Sequence, residues 1–325
     1  MDISSAAVVM EELTVADLKP LPSVYNSSRS LFDVLIGEDT ALPLIEASSS
    51  GNVTTLRSML SQPQWIKIAF EEPHCIYSVD RPSYDTSDIR GVHAMPISNL
   101  ERAIFKAAEN GHAAAVSTLL DFASHQGVKP SSVIHRWVVD KTIKNGHAAV
   151  FEALASADPA VVTFPLGHGT LPLDLAVAHR QTEVVAVLLQ LGADPGPSAS
   201  HRRAGSYGSS LLSRAAKPGG TRITELLLRH GVSPARSGAL HLAAELGVLD
   251  TIHLLMQHGA DVNELLPEEI LPRYRRSLFA SWTPMHFAAS RGQADAMKLL
   301  ESNGARSDLK DENGKTPAEL LKEHK

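Results

Sequence analysis

The sequence predicts an all-α fold, a solenoid of stacked helix–turn–helix units with long insertions on one side. Two segments, "GALHLAAELGVLDTIHLLMQHGADVN" from Gly238 and "TPMHFAASRGQADAMKLLESNGARSD" from Thr283, align with a pair of alanines, a Leu-Leu pair and a glycine at the same positions. Each segment contains two short amphipathic runs of helical period. The glycine follows the second run, where a helix end requires a left-handed residue. A unit of this size cannot bury its apolar faces alone, so successive units must stack.

The same frame divides the chain into units of differing clarity. The clearer units cover 170–195, 210–234, 238–263 and 283–308, the degenerate ones cover 40–62, 100–127 and 132–157, and 313–325 starts another unit as a C-terminal cap. Residues 1–39 have no repeat register and are expected to form an N-terminal cap or a flexible segment. Within them, "SRSLFDVLIG" favours a short helix, because a repeat array needs a polar cap at its end.

The quoted units resemble the ankyrin repeat, whose signature is T-P-L-H-x-A followed by a G-A-D-x-N turn. "TPMHFAA" and "GADVN" are close matches, and "TLPLDLA" and "GALHLAA" are good ones, so the resemblance is clearest from residue 170 to about 321. It implies a rigid concave surface that binds a partner protein. It also implies that His241 and His286 are structural residues that connect neighbouring turns. His230 and His258 precede closing glycines, where a cation suits a helix C-terminus.

The spacing of the closing glycines locates the insertions. Gly192, Gly231, Gly259 and Gly304 are separated by 39, 28 and 45 residues, whereas a regular array repeats every ~33 residues. The surplus residues follow the glycines, and insertions of this kind map to loops on one face that is often the binding face. They form two inserts, 195–210 and 264–282.

Both inserts concentrate arginine and aromatic residues, which are over-represented at interface hot spots. The candidate partner-binding residues are His201, Arg202 and Tyr207 in the first insert and Arg273, Tyr274, Arg275 and Trp282 in the second. Two alternatives stay open: the first insert is a mobile linker with solvated charges, and the second is a short helical turn that packs back on the repeats.

A third irregular stretch, 63–99, interrupts the degenerate units. Its "WIKIAF" alternates like a strand and is followed by Pro, Asp and Ser turn signals, so it predicts an extended hairpin or a lid.

Composition narrows the classes of protein. A net charge of −6 argues against an electrostatic binder of nucleic acid. The single cysteine, Cys75, excludes an internal disulfide framework and a thiolate metal cluster, and it fits a reducing compartment. The N-terminus has no basic signal-peptide region, and no stretch approaches ~18 uninterrupted apolar residues. We therefore expect a soluble, cytoplasmic protein without a membrane span, with the nucleus as the alternative compartment.

The favoured function is that of a scaffold for a partner protein, with no metal and no cofactor, and not an enzyme. The alternative is a binder of a small apolar molecule, or an acid–base enzyme of the isomerase or cyclase type, with a pocket where the inserts cover the groove. Its catalytic candidates are His168, in a glycine turn, and Asp174, which replaces the signature histidine. A purely structural role, as a spacer or adaptor, is a third hypothesis.

Overall fold

The computed structural model describes residues 33–35, 40–71, 75–77, 98–166, 170–196, 210–266, 279 and 281–324. Within it the chain separates into two compact units, Met1–Ile134 and His135–Lys325. No helix in the described part of the chain has the length and apolar character needed to cross a bilayer.

The first unit is built from helix pairs. Its helices are α1 (Leu42–Ser49), α2 (Val53–Leu60), α3 (Pro63–Phe70), α4 (Asn99–Glu109), α5 (Ala113–His125) and the short α6 (Pro130–Val133). In addition, β1 (Asp33–Leu35) pairs antiparallel with β2 (Cys75–Tyr77), with Val34 opposite Ile76. Helix α1 packs on α4, and α2 packs on α5, so the two helix pairs stack on each other.

The second unit repeats this arrangement more regularly. An inner row consists of α7 (Arg136–Lys144), α9 (Pro172–Ala178), α11 (Leu211–Ala215), α13 (Ala239–Leu246), α15 (Pro284–Ser290) and α17 (Pro317–His324). An outer row consists of α8 (Ala148–Ala157), α10 (Thr182–Gln190), α12 (Thr221–Arg229), α14 (Leu249–Gln257) and α16 (Ala294–Ser302), and a 3-10 turn at Pro159–Val162 follows α8. Each helix packs on the next member of its own row and on its partner in the other row.

The predicted repeat pattern explains this packing. The alanine pairs are fully buried where inner helices meet, because only small residues allow so close an approach: Ala243, Ala244, Ala288 and Ala289. In the four outer helices that end at a closing glycine, the leucine four positions before that glycine is fully buried: Leu188, Leu227, Leu255 and Leu300. The closing glycines Gly192, Gly231, Gly259 and Gly304 have φ between 82° and 92°, which confirms the predicted left-handed helix ends.

Two expectations for the irregular segments are wrong. Residues 65–70, "WIKIAF", are not a strand but part of the helix α3, which begins at Pro63. Its last carbonyls are satisfied by the next helix: the side-chain amide of Asn99 donates to the Ile68 carbonyl (2.9 Å), and the Asn99 backbone N–H donates to Glu71 (3.0 Å). The predicted N-terminal helix is contradicted at 33–35, which form the strand β1.

Candidate functional site

Three of the segments that lead from an outer helix to the next inner helix form one continuous edge of the second unit. We call residues 231–238, 259–266 and 304–316 the hairpin edge. The Arg236 backbone N–H donates to the Glu264 carboxylate (2.6 Å), the Asn263 side-chain amide donates to the Gly304 carbonyl (3.1 Å), and the Arg306 N–H donates to Asn263 Oδ1 (2.8 Å). Three consecutive repeats are therefore joined by hydrogen bonds at this edge.

The signature histidine of one repeat fixes the hairpin edge to the helix beneath it. His241 is fully buried at the start of α13, and its Nε2 donates to the Glu264 carbonyl at 2.8 Å. Burial lowers the pKa of His241 to about 4, so the ring is neutral near pH 7. Burial likewise raises the pKa of the Glu264 carboxyl, against the opposing effect of the Arg236 N–H. The prediction that His241 ties neighbouring turns is confirmed.

His286 is buried at the equivalent position in the next repeat, but its hydrogen bonds lie within its own turn and do not show the predicted connection between turns. Its Nδ1 accepts from the backbone N–H of Thr283 (3.2 Å) and lies 2.9 Å from the Thr283 hydroxyl, which closes a capping box at the start of α15. Burial lowers the pKa of His286. His230 and His258 are the C-cap residues of α12 and α14, as the sequence predicts.

A cluster of aromatic and apolar side chains, which we call the aromatic base, lies where the second insert leaves and rejoins the repeats. Leu266, Trp282 and Phe287 are buried together, with Phe279 and Leu320 packed against them. The ring of Trp282 lies 4.7 Å from that of Phe279 and 5.1 Å from that of Phe287, both edge to face. The aromatic base therefore holds Leu266 and Phe279, on either side of residues 267–278, at one point.

The surface beside the aromatic base is partly apolar. Leu265, immediately before the buried Leu266, is 52% exposed. Around it, the hairpin edge presents exposed charged residues, among them Asp261 and the ion pair Arg306–Asp308, whose closest atoms are 2.8 Å apart. An exposed apolar residue within a polar rim is the composition expected of an interaction surface.

The structure places two of the sequence-predicted site residues. Trp282, a candidate for partner binding, is only 9% exposed, and its indole N–H donates to Glu312 (3.2 Å), so it packs within the aromatic base. Asp174, a catalytic candidate, is 2% exposed at the start of α9. The remaining candidates lie outside the described residues: His168, His201, Arg202, Tyr207, Arg273, Tyr274 and Arg275.

The surroundings of Asp174 are those of a structural ion pair. Its Oδ1 lies 3.5 Å from the guanidinium of Arg214, which belongs to the next inner helix, and its Oδ2 accepts from the Leu171 N–H (3.2 Å). Arg214 also donates to the Asp174 backbone carbonyl (2.9 Å). Burial lowers the pKa of Arg214, and the Asp174 carboxylate opposes that shift. The pair thus joins two repeats at the position where the signature has histidine.

Metal-binding chemistry has no support in the described ranges, which contain no group of three or more His, Cys, Asp or Glu placed to hold a metal ion.

Sequence reasoning did not single out Leu266, Phe287 or Arg214. Phe287 and Arg214 occupy the position directly after the signature-histidine position in their repeats. A comparison of that position across the repeats could have identified these two residues from the sequence.

Comparison with known proteins agrees with this geometry. Residues 240–301 match the family profile described as "Ankyrin repeats (many copies)", and residues 168–199 match "Ankyrin repeat". The crystal structure of the ankyrin repeat domain of Bcl-3 superposes with a TM-score of 0.52 at 23% identity, covering 67% of this chain and 92% of that chain.

The relatives in sequence include proteins named for ankyrin repeats. Human protein phosphatase 1 regulatory subunit 27 is 33% identical over 90 residues, which are 28% of this chain and 51% of the relative. Ankyrin repeat protein nuc-2 of Neurospora crassa is 26% identical over 213 residues, 62% of this chain and 18% of that protein. Ankyrin repeat and SOCS box protein 11 of Danio rerio is 36% identical over 116 residues, 34% of this chain and 35% of that protein.

The aligned region therefore spans about half the length of the human relative and less of the other two. The matched repeats, the stacked helix pairs and the position of the signature histidines lead to one conclusion. The chain contains ankyrin repeats, matched at 168–199 and 240–301, and its stacked helix pairs have the ankyrin-repeat fold.

Proposed function

We propose that this chain is a non-enzymatic scaffold that binds a partner protein through its concave face, the hairpin edge and the insert carried on that edge. Members of the ankyrin-repeat family are typically protein-interaction scaffolds. The observation that carries the proposal is the aromatic base, where Leu266 and Phe279 are held together beside the exposed Leu265.

A fixed base matters for affinity because a loop whose ends are already joined loses less conformational freedom when it binds. Arg273, Tyr274 and Arg275 lie between the two fixed ends, and arginine and tyrosine are the residue types that most often dominate binding energy. The partner is proposed to be a protein, and the cytoplasm, or else the nucleus, is the proposed compartment.

The acid–base alternative loses support at Asp174. A general acid or base must reach a substrate proton, whereas the Asp174 carboxylate is buried and paired with Arg214. Trp282 contributes to the proposed surface indirectly, because it packs in the aromatic base that joins the two ends of the insert.

The experiment is affinity capture with the full chain as bait, followed by quantitative mass spectrometry. Two bait variants test the surface: the triple variant Arg273→Ala, Tyr274→Ala, Arg275→Ala, and Leu265→Asp. Leu191→Asp is the matched control, since Leu191 is 46% exposed and lies outside the hairpin edge. Proteins retained by the native chain and the control but lost by both surface variants are the expected result.

Thermal unfolding of each bait separates binding from folding. Equal melting temperatures with selective loss of capture support the proposal. Two results contradict the proposed surface. In the first, the triple variant still captures the partner. In the second, the triple variant is partly unfolded but its folded fraction captures the partner, which would mean that the insert packs on the repeats.

A further inference from the structure

Basic residues are concentrated on one part of the inner row of helices, although the chain as a whole has a net charge of −6. The segments 136–146, 172–181 and 211–220 comprise α7, α9, α11 and the turns that end them. Together they carry six permanent cations and two carboxylates. The cations are Arg136, Lys141, Lys144, Arg180, Arg214 and Lys217. We call these three segments the basic strip.

These residues occupy equivalent positions in three stacked repeats. Lys141 and Arg214 follow the signature-histidine position of their repeats, and Lys144 and Lys217 lie three residues further on. In the middle repeat the same two positions hold the apolar residues Leu175 and Ala178. Helix α9 packs against both α7 and α11, so the basic positions flank an apolar centre.

Contacts between the turns bring the three segments together. The Gln181 side-chain amide donates to the Lys144 carbonyl (2.6 Å), which joins the first two turns. A Cβ placed on Gly219 would lie 3.3 Å from the Arg180 guanidinium, so the Arg180 side chain extends over the third turn. The turns that carry Lys144, Arg180 and Lys217 are therefore adjacent.

The two carboxylates of the basic strip leave it positively charged. Asp140 pairs with Lys144 at 2.8 Å, and Asp174 is buried against Arg214. In the described part of the chain, neither Arg180 nor Lys217 lies within ion-pair distance of a carboxylate, and both side chains are exposed. His179, directly before Arg180 in the chain, responds to this environment: burial lowers its pKa most, and the charges of Lys144 and Arg214 lower the pKa further.

The neighbouring repeats do not continue the basic strip. In 239–248 and 284–293 the only charged residues are Glu245 and Arg291, which pair with each other at 2.9 Å. The positive charge is thus confined to three repeats and is distinct from the hairpin edge, which carries charges of both signs.

We propose that the basic strip is a second interaction surface, and that its ligand is an extended acidic segment of a partner protein. Inner helices lie ~10 Å apart, so the outer two are ~20 Å apart, and an extended peptide covers that distance with about six residues. Carboxylates at both ends of such a segment meet the basic residues of α7 and α11, and its centre meets Leu175 and Ala178.

The test is fluorescence anisotropy of the full chain with a fluorescein-labelled peptide of about eight residues in which glutamate alternates with serine. The same peptide with glutamine in place of glutamate measures the part of the affinity that does not depend on the charge of the peptide. The double variant Arg180→Glu, Lys217→Glu removes two exposed cations that have no carboxylate within ion-pair distance, and Arg180→Gln, Lys217→Gln does so without adding repulsion. Lys298→Glu, Lys322→Glu makes the same change of net charge on α16 and α17 and is the matched control.

The expected result is binding of the glutamate peptide that weakens with added salt, weakens about tenfold or more in both strip variants and changes little in the control. A chain that binds the glutamine peptide equally, or loses affinity equally in the control, contradicts the proposal. Single-stranded DNA that binds as tightly as the peptide and is lost in the same variants also overturns it, because the surface then takes polyanions in general. The triple insert variant described above keeps its affinity for the peptide, so failure of the insert proposal is seen separately.

Discussion

The Nε2 atom of His241 donates a 2.8 Å hydrogen bond to the backbone carbonyl of Glu264, the residue at which the second insert begins. The bond crosses from the buried start of one inner helix to the hairpin edge. Since the carbonyl only accepts, Nε2 must carry the proton, and the Nδ1 atom has no partner in the described structure. The ring is therefore held in one neutral tautomer, and its ionisation is coupled to folding.

The stability of the protein is expected to fall as the pH is lowered from about 6.5 to about 4. The unfolded chain takes up a proton at His241 near pH 6.5, whereas the folded chain resists protonation until about pH 4 because the ring is buried. Below that window, complete protonation corresponds to a loss of about 3 kcal/mol, at ~1.4 kcal/mol per pKa unit. Above pH 6.5 the residue contributes no pH dependence.

Urea unfolding across this pH range measures the effect. His241→Gln is the matched variant, because a glutamine amide donates to the Glu264 carbonyl and does not titrate. The free energy of unfolding of the native chain should depend on pH more steeply than that of the variant. Equal slopes would show that His241 is protonated at the same pH in both states.

The ion pair between Asp174 and Arg214 is expected to contribute to stability. Asp174→Asn leaves the Arg214 guanidinium without its counter-charge in a mostly buried position, and the free energy of unfolding should fall by about 2 kcal/mol. The effect is smaller than for a fully buried pair, because the Arg214 side chain keeps 27% of its exposure. Denaturant titration measures it.

A double variant, Asp174→Asn with Arg214→Met, should be destabilised less than the two single effects together, because no buried charge is left unpaired. The surface pair Glu225–Arg229 gives the comparison, and Glu225→Gln should change stability little. Additive single effects would mean that the two residues act independently, and the structural interpretation of Asp174 would be wrong.

Trp282 is expected to behave as a core residue. Trp282→Ala removes a side chain that is 9% exposed and packed against Phe279 and Phe287, so the free energy of unfolding should drop by about 3 kcal/mol. Leu265→Ala, at the start of the second insert, should have little effect, since Leu265 is 52% exposed. Equal stabilities of the two variants would mean that the indole of Trp282 is available to a partner.

The repeat register was predictable because it rests on local rules that recur. Buried alanine pairs, a leucine four residues before each closing glycine and a left-handed glycine are required wherever identical units stack. The residues at equivalent positions repeat the same hydrogen bond as well: His112, Gln181 and Gln293 each reach the carbonyl two residues before the turn position of the preceding repeat.

The remaining features depend on contacts between distant residues. "WIKIAF" reads as a strand locally, but α3 packs on α2 and α4, and Phe70 stacks on Phe122 at 5.8 Å. Strand β1 pairs with β2 about 40 residues along the chain, which no local pattern encodes. Asp174 looked available for chemistry because its partner, Arg214, lies in the next repeat, and only the stacking brings the two together.

Arg180 occupies a turn position at which glycine suits the backbone better. Its φ is 57°, and the equivalent residues Gly146, Gly219, Gly247 and Gly292 are all glycines with positive φ. Arg180→Gly removes the steric cost of the left-handed conformation, ~1 kcal/mol, against a smaller loss of chain entropy. A gain in stability of a few tenths of a kcal/mol is expected from thermal and denaturant unfolding.

Arg180→Ala is the control that removes the guanidinium and keeps the strained backbone, so its stability should match or fall below that of the native chain. If both variants are stabilised alike, the cause is charge repulsion within the basic strip, and the backbone argument is wrong.

The pKa of His179 reports on the electrostatic field of the basic strip. Burial of the ring lowers its pKa first, Lys144 and Arg214 lower it further, and Asp140 raises it. NMR titration of the imidazole should therefore give a pKa below 6.5 in the native chain. Lys144→Met should raise that pKa and Asp140→Asn should lower it, while Lys298→Met, on the distant helix α16, should leave it unchanged. If neither substitution changes the pKa of His179, the Lys144 side chain does not lie near the ring. The observed link between the first and second repeats of the basic strip would then be wrong.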